Sequence, residues 1–304
     1  MEGTCRRAGL KILVPVDFSD ITNVVLRVVK RIAEAHGGEV VLFHAVSPAV
    51  YIPYPESLTV DVIDVRILQE IEESKKKEAE EKLKGFTDFL KPVPSMVIVD
   101  IGDPRDLILE AEEKESPDLL VIGSHKKGLV EKILIGSTAE KVVKHSKKPV
   151  LVIKGSEPTF SKKVLIAYDF SKTAEKTVDF ALKFLKPFKL KVEILHIDEP
   201  IDIPVVEKIG EALYEKYRSE KRNYVEKLKE RFSSEGFEVS TSFVSARNPS
   251  EAIVTFVKEN PDIELLMMGS RGLSGLKRIL LGSTSTEVFR KVDIPILIYK
   301  EEAE

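Results

Sequence analysis

Short runs of apolar, mostly β-branched residues alternate along the chain with longer stretches that carry apolar residues at helical spacing. This alternation is typical of βαβ units, in which helices cover both faces of a parallel sheet. In the first half we predict strands at Lys11–Val16, Val40–Ala45, Ser95–Val99, Leu119–Ile122 and Val150–Ile153. In the second half we predict strands at Lys163–Tyr168, Lys191–Ile197, Glu238–Val244, Glu264–Met268 and Ile296–Tyr299.

The stretches between these runs have the features of amphipathic helices. Two of them follow a Ser-Asp or Ser-Lys-Thr start signal, and two open with proline in the first turn, where its missing N–H is harmless. We predict helices at Ile21–His36, Val60–Phe89, Pro104–Glu115, Thr173–Leu185, Val205–Phe232 and Pro249–Glu259.

The same pattern occurs twice. The segment Lys11–Ser19 matches Lys163–Ser171, and Lys148–Lys154 parallels Ile294–Lys300, which indicates a tandem duplication. The predicted organisation is a domain at 1–154, a linker at 155–159 with turn chemistry, and a second domain at 160–304. Each domain is expected to be an α/β fold: a doubly wound, five-stranded parallel sheet with strand order 3-2-1-4-5 and helices on both faces.

Composition narrows the classes of function. Of the 304 residues, 43% are apolar, which is enough for two packed cores. Acidic and basic residues are interspersed and the net charge is −3, so neither nucleic acid nor a membrane surface is an expected partner. Arg6 and Arg7 are not followed by the apolar core of a signal peptide. Cys5 is the single cysteine, which excludes an internal disulfide, and we expect a cytoplasmic location.

A glycine-rich segment follows the predicted strand that ends at Met268. Gly269, Gly272 and Gly282 are expected to take positive φ and to let backbone N–H groups converge on an anion without Cβ obstruction. Ser283 and Thr284 lie where a helix should start, and a helix N-terminus favours phosphate. The alternative is that the glycines serve only turns. A related glycine spacing occurs in the first half, from Gly123 to Gly136, so chance is a poor explanation for a pattern that is present twice.

In each half, one aspartate lies at the end of the first predicted strand. In an open α/β sheet, ligands bind at the carboxyl ends of strands where the winding reverses, here between the first and fourth strands. Asp17 and Asp169 should therefore lie close to the glycine loops, although each is over a hundred residues away in sequence. Helix capping is the alternative role for both carboxylates.

The spacing Gly269-x2-Gly272-x9-Gly282-Ser283 resembles the nucleotide-loop signature of the universal stress protein family. The resemblance covers nearly all of both halves. In the first half the second glycine position holds Lys126, so that phosphate loop is degenerate and the one in the second half is complete. A lysine there either costs about 1–2 kcal/mol of backbone strain or adds a charge-assisted hydrogen bond worth roughly 1.5–3 kcal/mol.

The resemblance implies binding of an adenine nucleotide, as ATP, ADP or AMP, with or without magnesium. In nucleotide-binding members an aspartate lies against adenine, which is the role implied for Asp169 and, in the weaker first-half site, for Asp17. The implied site in the second half consists of Ala167, Tyr168, Asp169, Ile197, Met268, Gly269, Arg271, Gly272, Gly282, Ser283 and Thr284. The implied weaker site in the first half consists of Pro15, Val16, Asp17, Ala45, Ile122, Gly123, Lys126, Gly136, Ser137 and Thr138. Arg271 either neutralises phosphates or is an ordinary surface charge.

Two functions remain open from the sequence. The first is a stress-response protein in which ATP binding switches conformation or partner contacts. The second is an interaction module without nucleotide, since family members commonly pair through the last strand and the apolar runs Val150–Ile153 and Ile296–Tyr299 suit antiparallel addition. Such pairing predicts an intramolecular pseudo-two-fold dimer, and a homodimer of whole chains is a further possibility.

Enzymatic activity ranks lowest. The sequence lacks G-x-S-x-G, the P-loop pattern, and G-x-G-x-x-G after a first strand. His44 and His196 end the second strands of the two halves, and we expect them to be packed rather than catalytic. ATP hydrolysis, if any, should be slow.

Overall fold

The computed structural model describes residues 9–48, 65–124, 136–200, 210–272 and 281–300. The chain divides by its internal contacts into two compact units. Of the described residues, the first unit contains 9–123 and 136–146, apart from 49–64, and the second contains the remainder. Lys126 and the loop at 273–280 lie outside the described residues.

The first unit contains four strands and four helices in alternation. In chain order they are β1 (Lys11–Pro15), α1 (Ile21–His36), β2 (Glu39–Val46), α2 (Val65–Leu90), β3 (Ser95–Ile101), α3 (Pro104–Glu115), β4 (Leu119–Gly123) and α4 (Ser137–His145). The strands pair in parallel in the order β3-β2-β1-β4. The strand β1 is apolar and almost wholly buried, as expected for the centre of a sheet with both faces covered.

The second unit has the same alternation, with one additional strand before it and one after it. In chain order it contains β5 (Val150–Ile153), β6 (Lys163–Ala167), α5 (Lys172–Leu185), β7 (Lys191–Asp198), α6 (Glu211–Ser234), β8 (Glu238–Ser245), α7 (Pro249–Glu259), β9 (Ile263–Gly269), α8 (Ser283–Lys291) and β10 (Ile296–Tyr299). The five strands of the second repeat lie in the order β8-β7-β6-β9-β10. This is the predicted order 3-2-1-4-5, which is therefore confirmed for the second repeat.

The strand β5 comes from the first repeat and pairs antiparallel with β10. The register places Leu151 opposite Leu297, and both side chains are fully buried. Antiparallel addition of the last strands is thus confirmed within this chain. As a consequence, the sheet of the second unit has six strands: the five parallel strands of the second repeat and β5, which is joined to them by one antiparallel pair.

Five predicted elements have the expected bounds: the helices α1, α3 and α7 and the strands β5 and β10 begin and end where they were predicted. Six other strands are longer than predicted by one or two residues, because ladder hydrogen bonds continue past the last buried apolar side chain, as in β7 to Asp198. The strands β1 and β6 each end one residue earlier than predicted. The predicted helix starts at 60–64 and 205–209 lie outside the described residues. Among the described helices, none is both long enough and apolar enough to cross a bilayer.

The residues before the first helix of each repeat differ in whether their side chains cap that helix. Ser171 is the N-cap of α5, and its hydroxyl accepts a hydrogen bond from the N–H of Ala174 at 3.1 Å. In the first repeat, Asp20 precedes α1 but its side chain makes no capping hydrogen bond. The N–H of Thr22 is satisfied by the carbonyl of Ser19 at 2.9 Å instead.

A buried lysine follows β5 directly. Lys154 is 1% exposed, and its ammonium donates to the carbonyls of Phe289 and Val292, the latter at 3.1 Å. These carbonyls lie at the C-terminal end of α8, where the helix dipole favours a cation. Burial nevertheless lowers the pKa of Lys154 from 10.5 to about 7.

This pKa predicts how stability depends on pH. Between pH 7 and 10 the unfolded chain holds a proton on Lys154 that the folded chain has released, so the free energy of unfolding should increase with pH by up to about 1.4 kcal/mol per unit. Denaturant titrations should show that the free energy of unfolding increases with pH in the native protein but not in Lys154→Met. Lys189→Met, at an exposed position, is the control that should keep it. An unchanged pH dependence in Lys154→Met would contradict the assignment.

Candidate functional site

A cavity of about 270 Å³ lies in the second unit at the carboxyl ends of β6, β7 and β9. This volume is close to the lower limit of small-molecule pockets, about 300 Å³. The lining residues are Ala167, Tyr168, Asp169, Leu195, Ile197, Glu199, Pro249, Ile253, Met268, Gly269, Arg271, Gly272, Gly282, Ser283, Thr284 and Ser285. All eleven residues that the sequence assigned to the second-half site are among them. The structure therefore brings the sixteen lining positions together from five elements and the loops that follow three strands.

The cavity has apolar and polar walls. The strands β6, β7 and β9 contribute Ala167, Ile197 and Met268, and α7 contributes Ile253. Such a surface suits a planar, largely apolar group. The polar side chains come from the loops after β6, β7 and β9 and from the first turn of α8. The hydroxyl of Tyr168 donates to Glu175, so this residue contributes to the wall while its polar group is used within the protein.

The N-terminus of α8 opens on this cavity. Its N-cap is Gly282, with φ −68°, and no side chain of the described residues caps the helix. The first-turn N–H groups have no intrahelical acceptor, and they belong to Ser283, Thr284 and Ser285, which line the cavity. The loop is fixed beneath them, because the N–H of Gly282 donates to the carbonyl of Ser270 at 2.7 Å. This arrangement attracts an anion through free donors and the positive end of the helix dipole.

Arg271 adds a positive charge to the same wall. Its Nε–H is buried, and it has no hydrogen-bond partner among the described residues. A buried guanidinium donor without a partner is costly, and an oxyanion in the cavity would satisfy it.

Gly269 and Gly272 are required for space rather than for left-handed backbone, whereas a Cβ on Gly282 would meet no atom of the described residues closer than 3.5 Å. The expectation of positive φ was wrong, because none of Gly269, Gly272 and Gly282 has a φ between +20° and +160°. A Cβ on Gly272 would lie 2.7 Å from Oδ2 of Asp169, and one on Gly269 would lie 2.9 Å from Cγ2 of Thr173. Both distances are shorter than real Cβ contacts, so the backbone passes too close to its neighbours for a side chain.

Asp169 has one oxygen that capping does not explain. Its Oδ1 accepts from the N–H of Ser171 at 3.0 Å, a local turn contact. The side-chain cap of α5 is Ser171, so Asp169 is not the capping residue. Its Oδ2 points towards Gly272 at the cavity wall. Asp169 and the glycine loop after β9, which the sequence predicted to lie in one crevice, are therefore within contact range of each other.

The residue after each strand-ending aspartate has left-handed backbone, which sequence reasoning missed. Phe18 has φ 59° and Phe170 has φ 63°, a conformation that costs a non-glycine residue about 1–2 kcal/mol. The ring of Phe170 packs against His196 with centroids 4.7 Å apart, and the ring of Phe18 packs against His44 at 4.5 Å. Aromatic packing therefore compensates for the strain in both repeats.

Five lining residues were missed from the sequence. Leu195 lies in β7 and Glu199 directly follows this strand, and both are two residues from Ile197, so the period of two could have found them. Ser285 continues the run of hydroxyl residues in α8. Pro249 and Ile253 enter from α7, and no motif in the sequence indicated that this helix contributes to the site.

The first-repeat positions also gather at one end of a sheet. Pro15 and Gly123 end the neighbouring strands β1 and β4, and α4 begins at Ser137. Asp17 is exposed, and its Oδ1 accepts from the N–H of Ser19 at 3.1 Å and from the hydroxyl of Thr22 at 3.4 Å. Gly136 and Thr138 lie at the start of α4, Val16 and Ala45 near the ends of β1 and β2, and Ile122 in β4.

The two histidines form equivalent packing contacts. Nδ1 of His44 lies 2.7 Å from the carbonyl of Val16, and Nδ1 of His196 lies 2.9 Å from the carbonyl of Tyr168. Both rings thus fix the end of the first strand in their repeat. Neither lines the 270 Å³ cavity.

Comparison with known proteins identifies relatives of both repeats. The model of the universal stress protein family matches residues 10–154 and 161–300. The universal stress protein MJ0577 of Methanocaldococcus jannaschii is 34% identical over 158 residues, covering 47% of this chain and 94% of the relative. A universal stress protein of Mycolicibacterium smegmatis is 23% identical over 296 residues, covering 95% and 96%. A solved universal stress protein from Archaeoglobus fulgidus superposes with TM-score 0.71 at 25% identity, covering 95% of this chain and 98% of that one.

Proposed function

Because this chain belongs to the universal stress protein family, we propose that its second-repeat cavity binds an adenine nucleotide, ATP in the first instance, and that occupancy switches conformation or partner contacts. The observation that carries the proposal is the joining of an anion-binding wall to an apolar wall in one cavity. The anion-binding wall suits the phosphates of a nucleotide, and the apolar wall suits its base.

Each part of the nucleotide has residues suited to it. The first-turn N–H groups of α8 and the unpartnered Nε–H of Arg271 are donors for phosphate oxygens. The carboxylates of Asp169 and Glu199 are acceptors for an amino group or for ribose hydroxyls. Magnesium would arrive with the phosphates, because no cluster of three or more His, Cys, Asp or Glu suited to a metal occurs in the described part of the chain.

The first-repeat site is proposed as weaker. Asp17 is exposed where Asp169 is half-buried, and its Oδ1 accepts hydrogen bonds from three local donors on Ser19 and Thr22. A solvated carboxylate contributes less to ligand binding than one held in a cavity.

Homodimerisation through the last strands is the less favoured alternative. The strand β10 lies between β9 and β5 in the described structure, so its edge is already paired within the chain. Slow ATP hydrolysis and a cytoplasmic location remain predictions from the sequence.

The proposal is tested by identifying what the protein carries. Native protein should be purified without added nucleotide, denatured, and the released small molecules analysed by mass spectrometry, followed by reloading of the refolded chain with ATP. We expect ATP, ADP or AMP at up to one equivalent, or saturable reloading with ATP. Release of no nucleotide together with failure to reload would contradict the proposal.

A further inference from the structure

A second cavity, of about 80 Å³, lies between α6 and the carboxyl-terminal parts of β7 and β8. It is on the opposite face of the sheet from the first cavity. His196 and Asp198 line the second cavity, whereas Leu195 and Ile197 line the first, and alternate residues of a strand point to opposite faces. Its volume equals that of two or three water molecules at about 30 Å³ each, which excludes a nucleotide.

The buried ring of His196 presents an unpartnered acceptor to this cavity. His196 is 4% exposed, and its Nδ1 lies 2.9 Å from the carbonyl of Tyr168. A carbonyl only accepts, so Nδ1 must carry the proton. Burial and the nearby charge of Lys221 lower the pKa of His196 to about 4, so the ring is neutral at pH 7 and Nε2 is an acceptor. That Nε2 has no hydrogen-bond partner among the described residues.

The remaining polar lining is rich in positive charge. Arg218, Lys221 and Arg222 line the cavity from one face of α6, at spacings of three and four residues. Among the described lining residues Asp198 is the one carboxylate, and it pairs with Lys221 at 3.0 Å and with Arg218 at 3.5 Å, while Arg218 also pairs with Glu215 at 3.4 Å. Arg222 makes no ion pair within the described ranges and lies 5.9 Å from the ring of Phe243. The cluster therefore carries excess positive charge beside an acceptor that needs a donor.

We propose that this cavity binds a small oxyanion that carries its own O–H group, such as inorganic phosphate at neutral pH. The oxyanion accepts hydrogen bonds from the cationic side chains of α6, and its O–H donates to Nε2 of His196. Asp198 cannot replace this donor, because an ionised carboxylate only accepts and its Oδ1 is 3.9 Å from Nε2. Sulfate has the same shape but no O–H at neutral pH, so the site should prefer phosphate.

The test is a titration of the full chain followed by NMR of its histidine side chains. Saturating ATP is present, so that phosphate cannot act through the first cavity. The five histidines give few signals, and His196→Phe assigns the ring of interest. We expect saturable shifts of the His196 ring with phosphate and about tenfold weaker binding of sulfate, since one hydrogen bond to a charged ligand is lost.

Variants distinguish phosphate binding in the second cavity from effects of phosphate elsewhere on the protein. Arg222→Gln should weaken phosphate binding about tenfold, because a charge-assisted bond is lost from an exposed residue that the fold does not require. Arg27→Gln, an exposed arginine on α1, should have no effect. His44→Phe removes the equivalent histidine of the first repeat and should leave the His196 shifts unchanged. Absence of a saturable shift, equal binding of sulfate, or an unaffected Arg222→Gln would each overturn the proposal.

Discussion

Replacing Gly272 with valine is expected to reduce the affinity for ATP by about 100-fold or more, equal to roughly 2.7 kcal/mol of binding free energy. A Cβ at this position would lie 2.7 Å from Oδ2 of Asp169, so the carboxylate must move and the valine must occupy the wall of the cavity. The fold should survive, because Gly272 is only half-buried in a loop and its backbone is outside the left-handed region. Equilibrium dialysis with labelled ATP measures the loss.

The matched control is Gly85→Val on an exposed turn of α2. A Cβ there would meet no atom within 4 Å, and it lies in the other unit. This variant should bind ATP like the native protein. Native affinity in Gly272→Val, with both variants folded by circular dichroism, would show that the wall beside Asp169 does not contact the ligand.

Replacing Leu297 with aspartate should destabilise the second unit by about 4 kcal/mol or more. Leu297 is fully buried in β10, which pairs with β9 on one side and β5 on the other. The substitution removes apolar packing and places an unpaired carboxylate in the middle of a sheet. Denaturant titration should show a large decrease in the midpoint of the unfolding transition.

Met96→Asp provides the comparison for this variant. Met96 lies in β3, the last strand at one side of its sheet, and is 48% exposed. The free energy of unfolding should change by only about 0.5 kcal/mol, as for ordinary surface positions. Similar losses in both variants would mean that β10 is not the internal strand described above.

Much of this fold could be predicted because the strand signals are local. The continuous apolar runs in β1, β4, β6 and β9 are typical of strands in a sheet that is buried on both faces. Few other structures can bury such runs. Proline at the first turn of α3 and α7 fixed their starts, since both helices begin at that proline. The topological switch point then placed Asp169 beside the loop after β9 without further information.

The remaining features depend on contacts between segments distant in sequence. Nothing in Lys154 itself shows that its ammonium reaches the carbonyls that end α8. The need for glycine at 272 could be predicted, but its cause could not, since it depends on the position of Asp169 rather than on φ. The left-handed Phe170 escaped prediction because aromatic packing overrides backbone preference there. The second cavity depends on how α6 lies over β7, which no motif specifies.

Calorimetric titration of nucleotide-free protein with ATP is the most direct test of nucleotide binding in the second-repeat cavity. We expect a saturable heat with one strong site per chain, weakened by about 100-fold or more in Gly272→Val and retained in Gly85→Val. Absence of any saturable heat with ATP, ADP and AMP in correctly folded native protein would contradict nucleotide binding in this cavity.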